Sequence, residues 1–386
     1  MDKITTSNID TVSVCTYTYN DKNLLLGLLQ NIDTWTIQPD EIIIIDDGSD
    51  VPLTLDVTKQ NINIVRIDSN MGLCNAKNIG PNISTSKYIF SIDCDTRVNR
   101  DWLEKCLPHA AKPNVGIVGG VLTQNAGNDI VSKYLMHFGD NHNINIDGFV
   151  DFIPGNARLM RFDVWKHIGG LTGHTRKICE DRFLCIKMKA FGFKLYVEKL
   201  ATAFQVRRLS RIAMVKRFFN WNYIALINNL PSEQEFPDYF YFEFVLLFIK
   251  YYVHAIELNE PAFVYLNFLD MVYTVSRLLT YSVSNIGYSI EIERSWIYAI
   301  ASYLAPYPSV QRLLIEDALQ DRLHPDDFRA VFNIDSCWDR SFNLLQSLAN
   351  KGGVWDRLEK EGVSRIRQED ATIKHDFSFH LEYEPD

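Results

Sequence analysis

Residues Tyr88 to Ile92 form a short apolar run that stops at Asp93-Cys94-Asp95. On an extended chain alternate side chains share a face, so the two carboxylates would converge where the run ends. Convergent carboxylates suit a hard cation such as magnesium or manganese, which takes one or two protein carboxylates and leaves positions for phosphate oxygens. The competing reading is a solvated strand end carrying two ordinary acids. Similar polar clusters recur at Tyr19-Asn20, at Asp46-Asp47-Gly48-Ser49 and from Asn70 to Lys77. Glu180-Asp181 opens a helical pattern, where acids in the first turn also simply suit the helix dipole. Arg207, Arg208, Arg211, Lys216 and Arg217 are the most basic stretch of the chain. Diphosphate binding is the first reading of that stretch, an anionic acceptor or membrane surface the second, and a solvated helix face the third. His137 and His142 read as surface histidines rather than ligands.

The elements that must position these residues are legible as apolar runs. Thr11 to Tyr17, Glu41 to Ile45, Ile62 to Ile67 and Tyr88 to Ile92 read as strands, and Asn23 to Ile32 as a leucine-rich helix between the first two. The nearly continuous Ile42 to Ile45 is of the kind buried on both faces of a parallel sheet. Strands alternating with helices predict the βαβ units of an open parallel sheet, in which ligands sit at the carboxyl ends of the strands. Each polar cluster up to Asp95 falls at such an end. Beyond it, Trp102 to Leu107 predicts a short helix that Pro108 would end or kink. Val115 to Leu122 predicts a strand whose glycines allow something to approach closely. Asn125 to Asp147 is polar and poorly periodic, and reads as a mobile or substrate-facing loop. Phe152 to Arg161 is followed by a short helix to Ile168, by Gly169-Gly170-Leu171, and by a helix from Arg182 to Phe191. In that helix Leu184, Met188 and Phe191 fall at helical spacing.

Composition bounds the class. The chain has 386 residues, which predicts two domains or one large α/β domain with an appendage. Hydrophobic residues make up 47% and charged residues 23%, enough apolar material for a sizeable core. The net charge of −9 speaks against a nucleic-acid partner. The seven cysteines are odd in number and scattered without a C-x-x-C pair, which suggests neither a disulfide framework nor a zinc site. The opening Met1-Asp2-Lys3-Ile4 lacks the apolar core of a signal peptide, so a cytoplasmic setting is expected.

Taken in order, Tyr-Asn after the first strand, Asp-Asp-Gly-Ser after the second, Asn-x-Gly with Ala-Lys-Asn-x-Gly, Asp-x-Asp, Gly-Asn…Arg…Gly-Gly-Leu and Glu-Asp at a helix start form one pattern. It resembles the GT-A fold of the inverting glycosyltransferase family 2, which uses nucleotide-diphospho-sugars, over about residues 10 to 210. The fold so implied is α/β, a Rossmann-like open, mainly parallel sheet with flanking helices. The resemblance leaves the sugar and the acceptor open.

By that resemblance Thr18, Tyr19 and Asn20 lie at the nucleotide base with Asp46 and Asp47, Tyr19 stacking near a uracil and Asp47 accepting from its ring N–H. Lys77 stands near the donor where the family commonly has arginine, a point charge in place of a bidentate fork. Asp93 faces the ribose, and Asp95, with Asp93, holds the divalent Mn2+ or Mg2+ that bridges the phosphates. Gly155-Asn156 lines the floor under the sugar, and Arg207 and Arg208 face the diphosphate. Asp181 is the implied general base, and Glu180 orients the site or contacts the acceptor. The chain departs from the pattern in two further places. The proline usual before Thr18-Tyr19-Asn20 is missing, and no histidine occurs between His174 and His254 to complete a metal site. Gln205-Val206-Arg207-Arg208 resembles a signature of processive synthases, but Leu209 replaces its tryptophan, and it is read as a phosphate-facing strand.

Beyond about Trp221 the composition shifts, and residues 1–220 are expected to be the catalytic domain, with 221–386 a mainly helical C-terminal domain. Phe236 to Ile256 and Ala262 to Tyr281 are long apolar stretches, but Glu243, Lys250, Asp270 and Arg277 interrupt them. Charges at the centre of a membrane span are disfavoured, so buried helices are expected, with peripheral contact at the inner membrane face as the alternative. Acceptor recognition, partner binding or homo-oligomerisation are the roles expected of this half. The function expected overall is sugar transfer from a nucleotide sugar, of the UDP type, to a hydroxyl of a glycan, lipid-linked glycan, protein or small molecule. A sugar-nucleotide nucleotidyltransferase and an inactive scaffold of the same fold are the competing readings. The first usually carries a glycine-rich, basic phosphate loop that Thr16 to Lys22 lacks, and the second sits poorly with the presence of both Asp95 and Asp181.

Overall fold

The structure is a computed structural model that describes residues 10–55, 61–124, 127–139, 146–173, 180–227, 246–267, 269, 270 and 360. The chain divides into two compact units, the first drawn from Met1–Ala126 and Leu135–Arg207, the second from Gly127–Tyr134 and Arg208–Phe377.

In the first unit β1 (Val12–Thr18), α1 (Lys22–Ile32), β2 (Glu41–Asp46), β3 (Ile62–Arg66), α2 (Leu73–Ile83) and β4 (Tyr88–Ile92) follow the expected alternation. These four strands are parallel, β1 lying between β2 and β4, with β3 at the half-exposed edge. The sheet then turns mixed. β8 (Ala157–Arg161) inserts antiparallel between β4 and β6 (Val115–Gln124), and β9 (Lys194–Gln205) runs parallel to β6. β5 (Thr96–Val98) and β7 (Gly148–Val150) pair antiparallel with β9. The whole is an open, mostly parallel sheet flanked by helices, as expected.

Apolar side chains divide between its faces residue by residue. Ile42 and Ile44 join Val12, Val14, Tyr88 and Phe90 under α1 and α3 (Trp102–Ala110), while Ile43 and Ile45 join Cys15, Ile89 and Trp165 on the other face. A strand covered on both sides has no polar face, which is why Ile42 to Ile45 shows no alternation. Gly120 of β6 is required by contact: a Cβ there would run into the carbonyl oxygen of Ala201 on β9.

Three expectations are corrected. Pro108 does not end α3, which continues two residues past it to Ala110 even though proline forgoes one backbone bond there. The stretch read as a loop contains α4 (Ile130–Phe138), whose apolar Ile130, Val131, Tyr134 and Leu135 are buried. Residues 125, 126 and 140–145, including His142, lie outside the described residues. Phe191 falls just past the end of α6 (Glu180–Ala190) and is exposed, leaving Leu184 and Met188 to bury that helix. α5 (Phe162–Ile168) is the short helix expected before Gly169.

In the second unit α7 (Arg211–Ile227) buries Met214, Val215 and Phe218, and α8 (Leu246–Glu257) buries Tyr252 and Ala255. Tyr134 is packed between Phe218 and Phe263, at ring distances of 6.4 and 5.8 Å. Asp270 is buried here, but most of residues 221–386, including Glu243 and Arg277, lies outside the described residues. Among the described residues no helix is long and apolar enough to cross a membrane. The described cysteines, 15, 74, 94, 106 and 185, are all buried thiols without disulfides.

Candidate functional site

Strand register decides which residues meet. Thr18 of β1 is level with Asp46 of β2, so both strands stop together. Cys15 is level with Ser91 of β4, which carries Tyr17 alongside Asp93 just past the end of that strand. Asp93 is pinned by its amide, which donates to the carbonyl of Asn156 at 2.9 Å. The chain then turns, Thr96 N–H donating to the carbonyl of Asp93 at 2.9 Å. Asp93 and Asp95 therefore approach through a tight turn, and the expectation that strand alternation brings them together is corrected. The carboxylates are close enough that Asp95, after burial and Lys77, is among the main influences on Asp93.

Lys77 on α2 is the hub of the site. Its Nζ lies 2.7 Å from Glu180 Oε1 and 3.1 Å from Asp93 Oδ1, and donates to the Gly155 carbonyl at 3.3 Å. The same ammonium sits over the ring of Tyr17, 5.1 Å from its centroid. Burial alone would strip the proton from a lysine, but Asp93 and Glu180 outweigh it and hold Lys77 above its ordinary range. The phenol of Tyr17 is driven well above its ordinary range by burial and then by Asp93, to which it is hydrogen-bonded. Gly155 leaves room for this junction, since a Cβ there would stand 2.8 Å from both Lys77 Nζ and Glu180 Oε1.

Glu180 and Asp181 are neighbours in sequence with opposite environments. Burial would raise Glu180, but Lys77, through charge and a hydrogen bond, holds it below the ordinary glutamate value. Burial raises Asp181 and the charge of Glu180 raises it further, against the weaker pull of Arg158 and Lys77. Glu180 is 5% exposed while Asp181 is half-buried, so the acid with the raised value is the one that solvent reaches. Adjacent acids pushed apart in this way divide into a fixed charge and a proton acceptor.

At the far side of the turn, Arg207 Nε donates to Asp95 Oδ2 at 2.8 Å, and its Nη2 to Asp21 Oδ2 at 2.5 Å. The β5–β9 pairing brings this about: Thr96 is level with Gln205, and Val206 N–H donates to the Asp95 carbonyl at 2.8 Å. Burial works against the Arg207 charge, but Asp95 and Asp21 together raise its proton affinity. Among the described residues no group of three His, Cys, Asp or Glu could hold a metal ion. Asp95 and Asp93 fit a hard cation only as a partial donor set that phosphate oxygens and water complete, which is the usual mode for magnesium.

The remaining candidates distribute as follows. Asp46 accepts from Ser49 N–H at 3.0 Å, Leu53 N–H at 3.1 Å and Arg66 Nη1 at 2.6 Å. Asp47 accepts from the backbone N–H groups of Met71 at 2.9 Å and Gly72 at 3.1 Å, tying the turn after β2 to the start of α2. Asn20, at φ 58°, donates its amide to Ser49 Oγ and accepts from Asp50 N–H, both at 2.9 Å. Thr18 is buried and Tyr19 half-buried at the end of β1. Asn156 Nδ2 reaches Asp93 Oδ2 at 3.5 Å. Arg208 belongs to the second unit, exposed and 3.9 Å from Asp129 Oδ2, so the basic stretch is split after Arg207. His137 is exposed on α4.

Sequence reasoning missed Tyr17, Asp21 and Arg158. Arg158 is 3% exposed within β8 and donates through Nε to the Pro154 carbonyl at 2.9 Å. Its signal was an arginine inside an apolar strand. Asp21 and Tyr17 carried none, because their partners are distant in sequence.

Residues 13–169, from β1 into the turn after α5, match the family described as glycosyl transferase family 2. The chain is 25% identical over 170 residues to a pre-mycofactocin glycosyltransferase of Mycobacterium tuberculosis, covering 42% of this chain and 36% of that one. It is 25% identical over 193 residues to the O-antigen chain rhamnosyltransferase RfbN of Salmonella typhimurium, covering 46% and 60%. The chain thus spans between about a third and three fifths of the length of these relatives. A mannosyltransferase of Pyrobaculum calidifontis, solved with GDP-Man and Mn2+, is similar at 16% identity and a TM-score of 0.41, covering 90% of this chain and 87% of that one. That likeness is too loose to carry residue roles.

Proposed function

We propose that this chain transfers a sugar from a nucleotide diphosphate sugar, of the uridine type, to an acceptor hydroxyl with inversion, and that Asp181 is the general base. The observation that carries this reading is the split between Glu180, paired with Lys77 at 2.7 Å, and Asp181, whose carboxyl is raised. A base must be able to take a proton near neutral pH, and a carboxylate with a raised pKa is better suited than an ordinary one.

In this reading Tyr19, Asn20 and Asp47 receive the base, and Asp46 holds the turn that presents them. Lys77 stands near the phosphates, and Gly155-Asn156 supports the sugar. Asp181 removes the proton from the acceptor hydroxyl as its oxygen attacks the anomeric carbon opposite the leaving diphosphate. Glu180, fixed by Lys77, orients the site and keeps Asp181 basic. Asp95 and Asp93 would hold a divalent cation, whose charge when bound offsets that growing on the diphosphate. Residues 1–220 carry catalysis, and 221–386 recognise the acceptor or a partner.

The test is thermal stability with uridine diphosphate sugars, with and without Mn2+, since a ligand that binds the folded state raises its apparent stability. Stabilisation that needs the cation and is lost in Asp95→Asn supports the reading. Equal stabilisation in excess chelator removes the cation from it.

A further inference from the structure

The reading above gives Asp95 to a cation, yet Asp95 already has one. Arg207 is 8% exposed and spans two acids, with Nε 2.8 Å from Asp95 Oδ2 and its Nη atoms 3.3 and 2.5 Å from the two oxygens of Asp21. This is a bidentate fork on one carboxylate and a single bond to the other, a geometry that arginine makes and lysine cannot. Asp21 stands at the start of α1, and its side chain makes no capping hydrogen bond to that helix. On the other side of the turn Asp93 is matched in the same way by Lys77, at 3.1 Å. Both candidate cation ligands thus face a buried protein cation.

From this geometry we infer that Arg207 guards Asp95: it holds off a free divalent cation, and lets it in when a nucleotide diphosphate arrives to share the guanidinium. A divalent ion reaching Asp95 alone meets two buried like charges, Arg207 and Lys77, in surroundings where screening is weak. A diphosphate brings the negative charge that offsets the ion, and its oxygens accept the N–H groups that Asp95 gives up, while Asp21 keeps Arg207 in place. Cation and nucleotide therefore load together, each raising the other's affinity by the same factor. Arg207 is a positioning residue for the cation. The inference rests on the reading of Asp95 as a cation ligand.

The test is Mn2+ binding followed by the electron paramagnetic resonance of the free ion, with and without uridine diphosphate. The wild type should bind Mn2+ weakly alone and about 5- to 150-fold more tightly with uridine diphosphate, the usual range of such coupling. Arg207→Gln should bind Mn2+ alone more tightly than the wild type and show a coupling factor close to one. Asp21→Asn leaves Arg207 to Asp95 alone and should weaken Mn2+ binding without nucleotide, which keeps the test available if Arg207→Gln does not fold. An Arg207→Gln protein with unchanged Mn2+ affinity and unchanged coupling overturns the guard while leaving Asp95 as a ligand. A wild type that binds no Mn2+ even with uridine diphosphate, or binding untouched by Asp95→Asn, overturns both.

Discussion

Lys77 Nζ and Glu180 Oε1 lie 2.7 Å apart, joined across 103 residues of sequence and both buried. The pair ties the helix that begins after β3 to the helix that carries Asp181. Because Lys77 holds Glu180 ionised, its negative charge persists beside Asp181. The candidate base is thus tuned by a lysine it does not need to touch.

Lys77→Met removes the one ammonium shared by Glu180 and Asp93 while keeping most of the apolar stem. Buried Glu180 and half-buried Asp93 would lose their partner, and breaking a buried pair from one side costs roughly 3–5 kcal/mol. Urea unfolding should show a loss of that order, together with weakened donor binding in calorimetry.

Asp181→Asn keeps the shape of the side chain and removes its ability to take a proton. Glycosyl transfer should fall by about 10²–10⁴-fold with donor binding retained. If Glu180-Asp181 were only a helix-start charge pair, the cost would be roughly 0.3–1 kcal/mol of stability with turnover near normal. A stable, fully active Asp181→Asn protein would sink the base assignment.

The pH profile has a definite sign. A base works when deprotonated, so kcat/KM should rise with pH through the Asp181 value, which burial and Glu180 place above the ordinary aspartate range. Glu180→Gln removes the neighbouring charge and should move that limb to lower pH. An acid limb unmoved in Glu180→Gln would show that another group limits the rate.

Gly155→Ala tests the crowding at the junction. The added methyl would stand 2.8 Å from Lys77 Nζ and Glu180 Oε1 and 3.4 Å from Asp181 Cβ. Overpacking of this kind costs typically about 1–3 kcal/mol. A lowered melting temperature and slower transfer are expected; an unchanged pair of values would mean that Lys77 and Glu180 move apart without consequence.

Asp46 links stability to acidity. Burial raises its carboxyl, but hydrogen bonds from Ser49, Leu53 and Arg66 outweigh this and hold it below the ordinary value. A depressed folded-state value contributes stability that is present above the unfolded-state pKa, about 3.9, and is lost as pH falls through the folded one. Asp46→Asn should therefore destabilise the protein at neutral pH and flatten its acid denaturation curve below about pH 4. An acid limb of unchanged steepness would place the responsible carboxylates elsewhere.

Local patterns by themselves determined most of the sheet's parallel half. Ile42 to Ile45 and Tyr88 to Ile92 are apolar runs bounded by turn residues, and such runs specify buried strands wherever they are folded. Glu180-Asp181 at a helix start and Asp93 with Asp95 at a strand end were equally legible, because both positions depend on neighbours within a few residues. Tertiary structure alone decided which charge meets which. Arg207 finds Asp21 across 186 residues because β9 pairs with β5, and β5 meets α1, where Arg97 Nη2 donates to the Leu24 carbonyl at 2.8 Å; no local spacing encodes that meeting. The same is true of Tyr17 beside Asp93, which follows from the β1–β4 register. Pairing between buried charges depends on the distance left after the sheet has assembled, and that distance is a property of the fold rather than of any segment.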